Sequence, residues 1–252
     1  MNWQITQADA SNVHEVGIYC IKNKKAPGYQ KKLDWFTDQM NQGLEIQIAV
    51  DDNDTQLGFI EYLPAEQTWR PVHAPGFLFI HCIAIFAKAA KNQQVGSGLI
   101  QAAVARAKAL GKQGICAMSS KGSWMASQSV FQKNGFVQVD QKDRYELMSL
   151  AFYVEAESPQ FIDWTAQQAQ YQGWHLVYSD QCPWHEKAVG ALQETAGLLG
   201  ISLTIQRLAT PAEAQQAPSG FGTFALLKDG QLLADHYISA TRFRNIVKKA
   251  KS

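Results

Sequence analysis

Hydrophobic positions follow two spacings along the chain, and these spacings divide its first 150 residues into short strands and helices. Alternation and short apolar runs predict strands, whereas recurrence every three or four residues predicts helices. The predicted strands are residues 3–6, 44–50, 56–62, 77–85, 114–118, 136–139 and 145–150, and the predicted helices are residues 10–22, 30–41, 98–110 and 124–133. The sequence DDND at residues 51–54 predicts a hairpin turn, and Asn134-Gly135 ends the last of these helices.

The C-terminal part of the chain has its own pattern, which follows the linker-like sequence AESPQ at residues 156–160. The predicted strands here are residues 174–178, 201–208, 223–227 and 231–236, and the predicted helices are residues 185–199, 211–216 and 240–250. Their order along the chain is βαβαββα. We therefore predict an α/β protein with two domains, residues 1–150 and residues 151–252.

Composition and charge exclude several classes of protein. Hydrophobic residues make up 46% of the chain and charged residues 18%, which is typical of globular domains and not of disordered or fibrous proteins. The net charge is +1, so there is no general attraction to nucleic acid or to an anionic membrane. The longest apolar run, residues 77–86, is about half of what a membrane-spanning helix needs. The N-terminal sequence MNWQITQADAS lacks the pattern of a signal peptide.

The cysteines and histidines are scattered along the chain. The cysteines form neither a CxxC motif nor a dense disulfide framework, and no zinc ligand set is visible. We expect a reducing, cytoplasmic setting and no metal cofactor. The four cysteines are Cys20, Cys82, Cys116 and Cys182.

A polar loop between a predicted strand and a predicted helix carries the most informative motif, Gln-x-x-Gly-x-Gly from Gln93 to Gly98. Gly96 and Gly98 lack side chains where a backbone must approach a bulky anion, and the helix that follows offers its N–H groups and the positive end of its dipole. Such a loop binds a diphosphate without a lysine. The alternative interpretation is an ordinary glycine-containing turn before a helix.

This stretch resembles motif A of the GNAT acyltransferases, and SWMASQSVFQKNGFVQVD resembles their second motif. The resemblance covers about the first 150 residues and implies the GNAT fold, a mixed central sheet flanked by helices. It also implies acetyl-CoA as cosubstrate, with the coenzyme diphosphate on the loop and the pantetheine paired like an extra strand with the strand 77–85 where it parts from the strand 114–118. The implied coenzyme-binding residues are Ile83, Ala84, Ile85, Gln93, Val95, Gly96, Ser97 and Gly98.

The chemistry of amine acetylation needs a group that accepts the proton of the attacking amine. His81 is the first candidate base and Glu61, on the facing hairpin strand, is the second, although each has an alternative role as a satisfied strand histidine or an outward-facing charge. Many GNAT enzymes have a tyrosine acid at the position of Phe131, which cannot donate a proton. Cys82 and Cys116 are predicted to be small core residues. The loop serines are candidate ligand contacts or plain turn residues: Ser119, Ser120 and Ser123.

A second candidate site begins with Cys182-Pro183-Trp184-His185, between a strand and a helix. A helix N-terminus stabilises a thiolate and lowers the pKa of the thiol. The C-terminal part resembles the thioredoxin and glutaredoxin fold, but His185 replaces the resolving cysteine, which excludes an internal disulfide. His185 is a candidate partner for the Cys182 thiolate. Gly222 stands where thioredoxins have a cis-proline.

The whole chain resembles the YoaP-like acetyltransferases, a bacterial group with a GNAT half and a thioredoxin-like half. That resemblance implies an N-acetyltransferase that transfers the acetyl group of acetyl-CoA to a primary amine, with the helices 10–22 and 30–41 on the acceptor side. Two alternatives stay open. One is a thiol-dependent redox or thiol-transfer protein that uses Cys182 as nucleophile and a thiol-bearing protein as partner. The other is a sensor that binds CoA without catalysis, which Phe131 favours.

Overall fold

The computed structural model describes residues 2–16, 21, 23–86, 90, 93–122 and 124–250. They form two compact units, each of which is built from three separate segments of the chain. The first unit takes its described residues from Met1–Tyr19, Thr37–Thr68 and Val72–Phe161, and the second from Cys20–Phe36, Trp69–Pro71 and Ile162–Ser252. The predicted boundary after residue 150 therefore lies after Phe161 in the structure, and two segments of the predicted first domain fold with the second unit.

The first unit is built on a mixed seven-stranded sheet, in the order β1-β2-β3-β5-β6-β8-β7. Only β5 and β6 are parallel neighbours in this sheet, and the other adjacent strands are antiparallel. A short pair of strands, β4 and β9, forms a separate sheet, which is joined to β7 by the bond from the Phe161 N–H to Asp140. The strands are β1 (Trp3–Ala8), β2 (Glu45–Asp51), β3 (Gln56–Pro64), β4 (Val72–His73), β5 (Phe77–Ile85), β6 (Gly114–Ser120), β7 (Val137–Lys142), β8 (Tyr145–Ala151) and β9 (Gln160–Phe161).

The helices of this part of the chain differ from the predicted ones mainly at their ends. They are α1 (Val13–Val16), α2 (Pro27–Met40), α3 (Val95–Ala109) and α4 (Gln128–Gln132). Of the predicted helix 10–22, residues 17–20 and 22 lie outside the described residues. Helix α4 begins four residues later than predicted. The backbone of Trp124 is in the left-handed region, with φ 72°, and a residue in that conformation does not continue a right-handed helix.

Helix α3 covers one face of the seven-stranded sheet and supplies much of the core. Its apolar residues recur every three or four positions, so they lie on one side of the helix. The buried residues of this stripe are Leu99, Ile100, Ala103, Val104 and Ala107. They pack with residues of β3, β5, β6 and β8 in a single hydrophobic cluster. This packing holds the start of α3 near the end of β5, where Gly96 lies beside Ile85.

The second unit has a four-stranded sheet in the order β11-β10-β12-β13, in which β10 and β11 are parallel and the other pairs are antiparallel. The predicted order of elements, βαβαββα, is confirmed. A capping box between Thr210 and Glu213 starts α6. The elements are β10 (Trp174–Tyr178), α5 (Trp184–Leu198), β11 (Leu203–Arg207), α6 (Pro211–Gln215), β12 (Phe224–Lys228), β13 (Gln231–Ala234) and α7 (Ala240–Ala250).

Two segments from the first third of the chain complete the second unit. In one, the Lys31 ammonium lies 2.6 Å from the Glu186 carboxylate at the start of α5. In the other, the Arg70 guanidinium stacks over the Phe221 ring at 4.1 Å and donates to the Phe221 carbonyl oxygen. Arg70 is only 4% exposed, so this contact is buried. The second unit therefore depends on residues that lie more than a hundred positions upstream.

Candidate functional site

The parallel strands β5 and β6 part in the middle of the seven-stranded sheet. Their paired residues run from Phe77–Gly114 to Ile80–Ala117, yet β5 continues to Ile85 and β6 to Ser120. On its other side, β5 stays paired with β3 as far as Ile85. In the part of the chain that the structure describes, residues 81–85 therefore present one backbone edge that β6 does not use.

The register between β3 and β5 shifts at the point where β5 and β6 part. Glu61 is opposite Cys82 and Tyr62 is opposite Ile80, so His81 is the extra residue of a β-bulge. The bulge brings two candidate residues together: the His81 Nδ1 atom lies 3.5 Å from the Glu61 Oε1 atom. Their side chains are 0% and 1% exposed. The interpretation of Glu61 as an outward-facing charge is therefore wrong.

Helix α3 begins next to this parting, and its first turn has the features of an anion site. Gln94 precedes it in a left-handed conformation, with φ 58°. The N–H groups of Val95, Gly96 and Ser97 belong to the first turn, where a helix offers no carbonyl partner. The first turn also contains no acidic residue. These amides and the helix dipole favour a bound anion.

The two glycines of the motif have different surroundings. Among the described residues, a Cβ atom at Gly96 would meet only the Ile85 side chain, at 3.7 Å, so none of them fills the space beside Gly96. A Cβ atom at Gly98 would collide with the Trp3 ring. The Gly98 N–H donates to the Gln94 carbonyl at 2.8 Å, which closes the first turn. The expectation that Gly98 makes room for an anion is therefore wrong: the space is filled by Trp3.

Asn134 holds the first turn of α3 from the side of α4. Its amide nitrogen donates to the Ser97 hydroxyl at 3.3 Å and to the Val130 carbonyl at 2.8 Å. Its amide oxygen accepts from Gln101 at 3.1 Å. Asn134 itself is 8% exposed, whereas Gln101 is exposed, so the network runs from the interior to the surface. The sequence predicts only that Asn134 ends a helix. Its hydrogen bonds to the first turn of α3 were not predicted.

The other residues near the parted strands lie mainly in the core or in polar contacts. Phe131 is buried and packs on Phe136, with ring centroids 5.5 Å apart, so no hydroxyl group stands at that position. The Ser119 hydroxyl donates to Glu146 at 2.9 Å. The Ser120 hydroxyl accepts from Arg144 at 3.0 Å. Ser123 lies outside the described residues.

The cysteines differ in exposure. Burial raises the pKa of the Cys116 thiol far above its usual value, which suits a core residue. Cys82 and Cys182 are half-buried. Cys182 lies just before α5, a helix of 15 residues, as predicted. Cys20 lies outside the described residues.

His185 lies in the first turn of α5, in surroundings that disfavour its charged form. It is 1% exposed, and its Nδ1 atom is 2.9 Å from the Ser179 carbonyl oxygen, so Nδ1 is the donor. The ring lies near Phe221 and Phe224. Burial, with smaller effects from Arg70 and Lys32, lowers the pKa of His185 to about 4, against the opposing effect of the Ser179 bond. The candidate pairing of His185 with the Cys182 thiolate stays a prediction, and burial disfavours the charged form of the imidazole in it.

The position of the expected cis-proline, Gly222, is also occupied differently. Gly222 has φ 74°, and a Cβ atom there would lie 2.5 Å from the Trp69 carbonyl oxygen. The described residues contain no cis peptide bond. The segment 69–71 of the same chain therefore fits closely against the loop before β12, and only glycine suits both the conformation and the contact.

Other features of the described residues do not extend the candidate site. One surface hollow of about 500 Å³ is lined by Asp9, Glu45 and Arg106, among others, and a second of about 360 Å³ by Val137, Phe152 and Val154, among others. Neither includes a residue predicted for catalysis or coenzyme binding. No described helix is both long and apolar enough to cross a bilayer. Groups of three metal-ligating side chains are likewise absent from the described part of the chain.

Comparison with known families agrees with this geometry. Residues 16–136 match the acetyltransferase (GNAT) family. The matched residues include β5 and β6, the loop between β5 and α3, and the first turn of α3. This part of the chain is similar to the acetyltransferases of the GNAT family. The C-terminal part of the chain carries a YoaP-like region at residues 203–245.

A full-length relative shares both parts. The chain is 27% identical over 242 residues to the uncharacterized N-acetyltransferase YoaP of Bacillus subtilis (strain 168), and the match covers 94% of this chain and 95% of that protein. Among solved structures, a GNAT-family acetyltransferase from Staphylococcus aureus Mu50 aligns with a TM-score of 0.44 at 13% identity, over 60% of this chain and all of that one. A GNAT-family acetyltransferase from Brucella melitensis, crystallised with acetyl-CoA, aligns with a TM-score of 0.40 at 15% identity, over 64% of this chain and 96% of that one.

Proposed function

We propose that this protein transfers the acetyl group of acetyl-CoA to a primary amine. The observation that carries the proposal is the arrangement at the end of β5. Residues 81–85 have a backbone edge that β6 does not use, and the next described helix along the chain, α3, begins at Val95. A thioester arm that pairs with such an edge and a diphosphate at the helix start are parts of one extended molecule, coenzyme A. The family assignment supports the same donor.

The coenzyme-binding residues follow from this arrangement. The diphosphate would accept hydrogen bonds from the first-turn amides of Val95, Gly96 and Ser97, with Gly96 leaving the approach open. Gly98 takes part indirectly, because its N–H is used within the helix. The pantetheine would pair with the edge of β5 at Ile83, Ala84 and Ile85, and Gln93 would border the diphosphate from the preceding turn. These roles are part of the proposal.

The Glu61–His81 pair is the proposed base. A carboxylate 3.5 Å from Nδ1 favours the tautomer with its proton on Nδ1, which leaves Nε2 as the acceptor. The amine nitrogen attacks the thioester carbonyl carbon, its ammonium proton passes to Nε2 directly or through one water, and the carbon–sulfur bond breaks to release the CoA thiolate. Water then protonates the thiolate, since Phe131 has no acidic hydrogen. No metal ion is needed for any of these steps.

The C-terminal unit is proposed to be thioredoxin-like. The βαβαββα order and the strand order β11-β10-β12-β13 support this assignment. Along the sequence, residues 1–150 remain the proposed acetyltransferase region and residues 151–252 the proposed appended region. In the structure, Cys20–Phe36 and Trp69–Pro71 belong to the second unit, and the first unit extends to Phe161. The half-buried Cys182 before α5 supports a second candidate function, thiol transfer to or from a thiol-bearing partner. The scattered cysteines favour a cytoplasmic compartment for either activity.

One assay separates these functions. The purified protein is incubated with acetyl-CoA and a panel of primary amines, and released CoA is quantified by chromatography. We expect amine-dependent CoA release that Cys182→Ser leaves intact and His81→Ala abolishes. CoA binding without release under any amine would favour the sensor. Loss of a disulfide-exchange activity in Cys182→Ser, with no acetylation in the wild type, would favour the thiol function.

A binding measurement tests the coenzyme site itself. Acetyl-CoA should raise the unfolding temperature of the protein in a concentration-dependent way, because a ligand that binds only the folded state stabilises it. Acetate and free adenosine serve as controls that lack the diphosphate and thioester arm. An unchanged unfolding temperature at saturating acetyl-CoA would contradict the proposed function.

A further inference from the structure

The start of α3 lacks a side-chain cap among the residues that the structure describes. Gln94 is the N-cap residue, and its side chain makes no capping hydrogen bond. Its left-handed backbone is unfavourable for a residue that has a Cβ atom. The main-chain amides proposed to hold the diphosphate come directly after this residue. Contacts from elsewhere in the fold therefore add to the hydrogen bond between Gly98 and Gln94 in holding their orientation.

Trp3 makes such contacts on both sides of Gln94, from a position 90 residues upstream. Its indole Nε1–H donates to the Gln93 carbonyl oxygen at 3.3 Å, just before the left-handed residue. Its six-membered ring lies against Gly98, at the end of the first turn, where a Cβ atom would overlap it. Trp3 itself is fixed because β1 is paired with β2 along its whole length.

We propose that Trp3 is a positioning residue for the coenzyme, which holds the amides of Val95, Gly96 and Ser97 in the orientation that receives the diphosphate. This inference rests on the proposed function, because it assumes that the diphosphate binds there. Trp3 acts through the loop and does not itself touch the reacting atoms. In this arrangement Gly98 is required by the Trp3 ring, and the two residues form one coupled unit.

Substitutions at Trp3 test the inference by direct binding of CoA. Trp3→Phe keeps an aromatic ring and removes the N–H donor, Trp3→Ala removes both contacts, and the exposed neighbour Gln4 provides the control variant Gln4→Ala. Calorimetric titration should give a dissociation constant for CoA that is about three- to tenfold higher in Trp3→Phe, as expected for one lost hydrogen bond, and higher again in Trp3→Ala. Gln4→Ala should bind like the wild type.

Two further readouts distinguish positioning from a general loss of stability. In the absence of CoA, Trp3→Phe should unfold at the same temperature as Gln4→Ala, while its amide hydrogen exchange increases only at residues 93–98. Gly98→Ala should weaken CoA binding in the wild-type background, where the new methyl group meets the Trp3 ring. The same change should have little effect in the Trp3→Ala background, because the ring is absent.

The outcomes separate this inference from the function on which it rests. If the wild-type protein binds no CoA, the proposed function fails and the inference fails with it. If the wild type binds CoA and all Trp3 variants bind it equally well, the inference is overturned while the function stands. A loss of affinity that merely follows a drop in unfolding temperature, with faster exchange throughout the sheet, would also overturn it.

Discussion

The Glu61 carboxylate oxygen and the His81 Nδ1 atom are 3.5 Å apart and shielded from solvent at the point where β5 leaves β6. A buried carboxylate lowers the stability of a fold unless a partner compensates its charge. A buried pair of this kind therefore suggests a functional use. The proposed function gives the pair such a use, as the base beside the unshared edge of β5.

We expect Glu61→Gln to lower kcat by about tenfold or more and His81→Ala by about a hundredfold or more, because the first loses the group that orients the imidazole and the second loses the base itself. Steady-state kinetics with a responsive amine measures both effects. The affinity for CoA, followed by calorimetry, should stay within about twofold. Full activity in His81→Ala would contradict the assignment and return Glu61 or a bound water to consideration as the base.

Substitution of Gly96 tests the diphosphate site. Gly96→Glu places a negative charge and a side chain in the open space beside the first turn of α3, and we expect CoA affinity to fall by about a hundredfold or more. Gly190→Glu is a matched control, since Gly190 lies in α5 with no atom of the described residues within 4 Å of its Cβ position. Equal CoA binding by both variants would mean that the diphosphate lies elsewhere.

Thiol reactivity should rank the cysteines by exposure and by position. Cys182 has a half-buried side chain before a helix start, whereas burial raises the pKa of the Cys116 thiol and disfavours the reactive thiolate. We expect iodoacetamide to label Cys182 at least about tenfold faster than Cys116 and faster than Cys82, as measured by mass spectrometry of peptides. Equal rates at Cys182 and Cys82 would remove the case for an activated thiolate.

His185 predicts how the second unit responds to acid. Its pKa is lowered from 6.5 to about 4 in the folded state, so the unfolded chain binds the proton first as the pH falls. Stability is therefore highest above pH 6.5, falls between pH 6.5 and pH 4, and changes no further below that range through this group. The loss amounts to about 3 kcal/mol at most.

Hydrogen exchange within α5 at several pH values measures this effect. His185→Phe should remove most of the acid dependence, whereas His73→Gln, at an exposed histidine of the first unit, should leave it unchanged. The same decline in protection with acid in wild type and His185→Phe would show that other groups cause it.

Arg70 predicts a local loss of stability around the loop before β12. Its guanidinium is buried, stacks on Phe221 and bonds to the carbonyl of the same residue. Arg70→Lys keeps the charge but loses the planar stacking, so we expect about 1 to 3 kcal/mol of destabilisation. Exchange at residues 219–223 should increase first. Arg242→Lys, at an exposed position on α7, is the control and should have no effect.

Local signals in the sequence predicted the elements that local residues determine. The period of the hydrophobic residues predicted most strands of both sheets, and the glycines after β5 predicted the start of α3 within three residues. Features that depend on distant contacts were missed. The Trp3–Gly98 contact joins positions 95 residues apart, and the short strands β4 and β9 are too brief to show a period.

The candidate site was predicted in the same uneven way. Glu61 and His81 were each named from the sequence, but as alternative bases, because their pairing depends on a β-bulge whose register no local pattern shows. The burial of His185 was not visible in the sequence, since it depends on packing beside Phe221 and Phe224. Trp124 interrupted a helical pattern through its left-handed backbone, which its residue type does not indicate.

The origin of Arg70 and Lys31 in the first third of the chain has a practical consequence for dissecting the protein. A single proteolytic cut or gene truncation near the apparent linker would separate the C-terminal fragment from the residues that stack on Phe221 and pair with Glu186. Such a fragment would lack part of its own interior and would be prone to aggregation. Each half of this polypeptide is therefore best studied by point substitution in the intact chain.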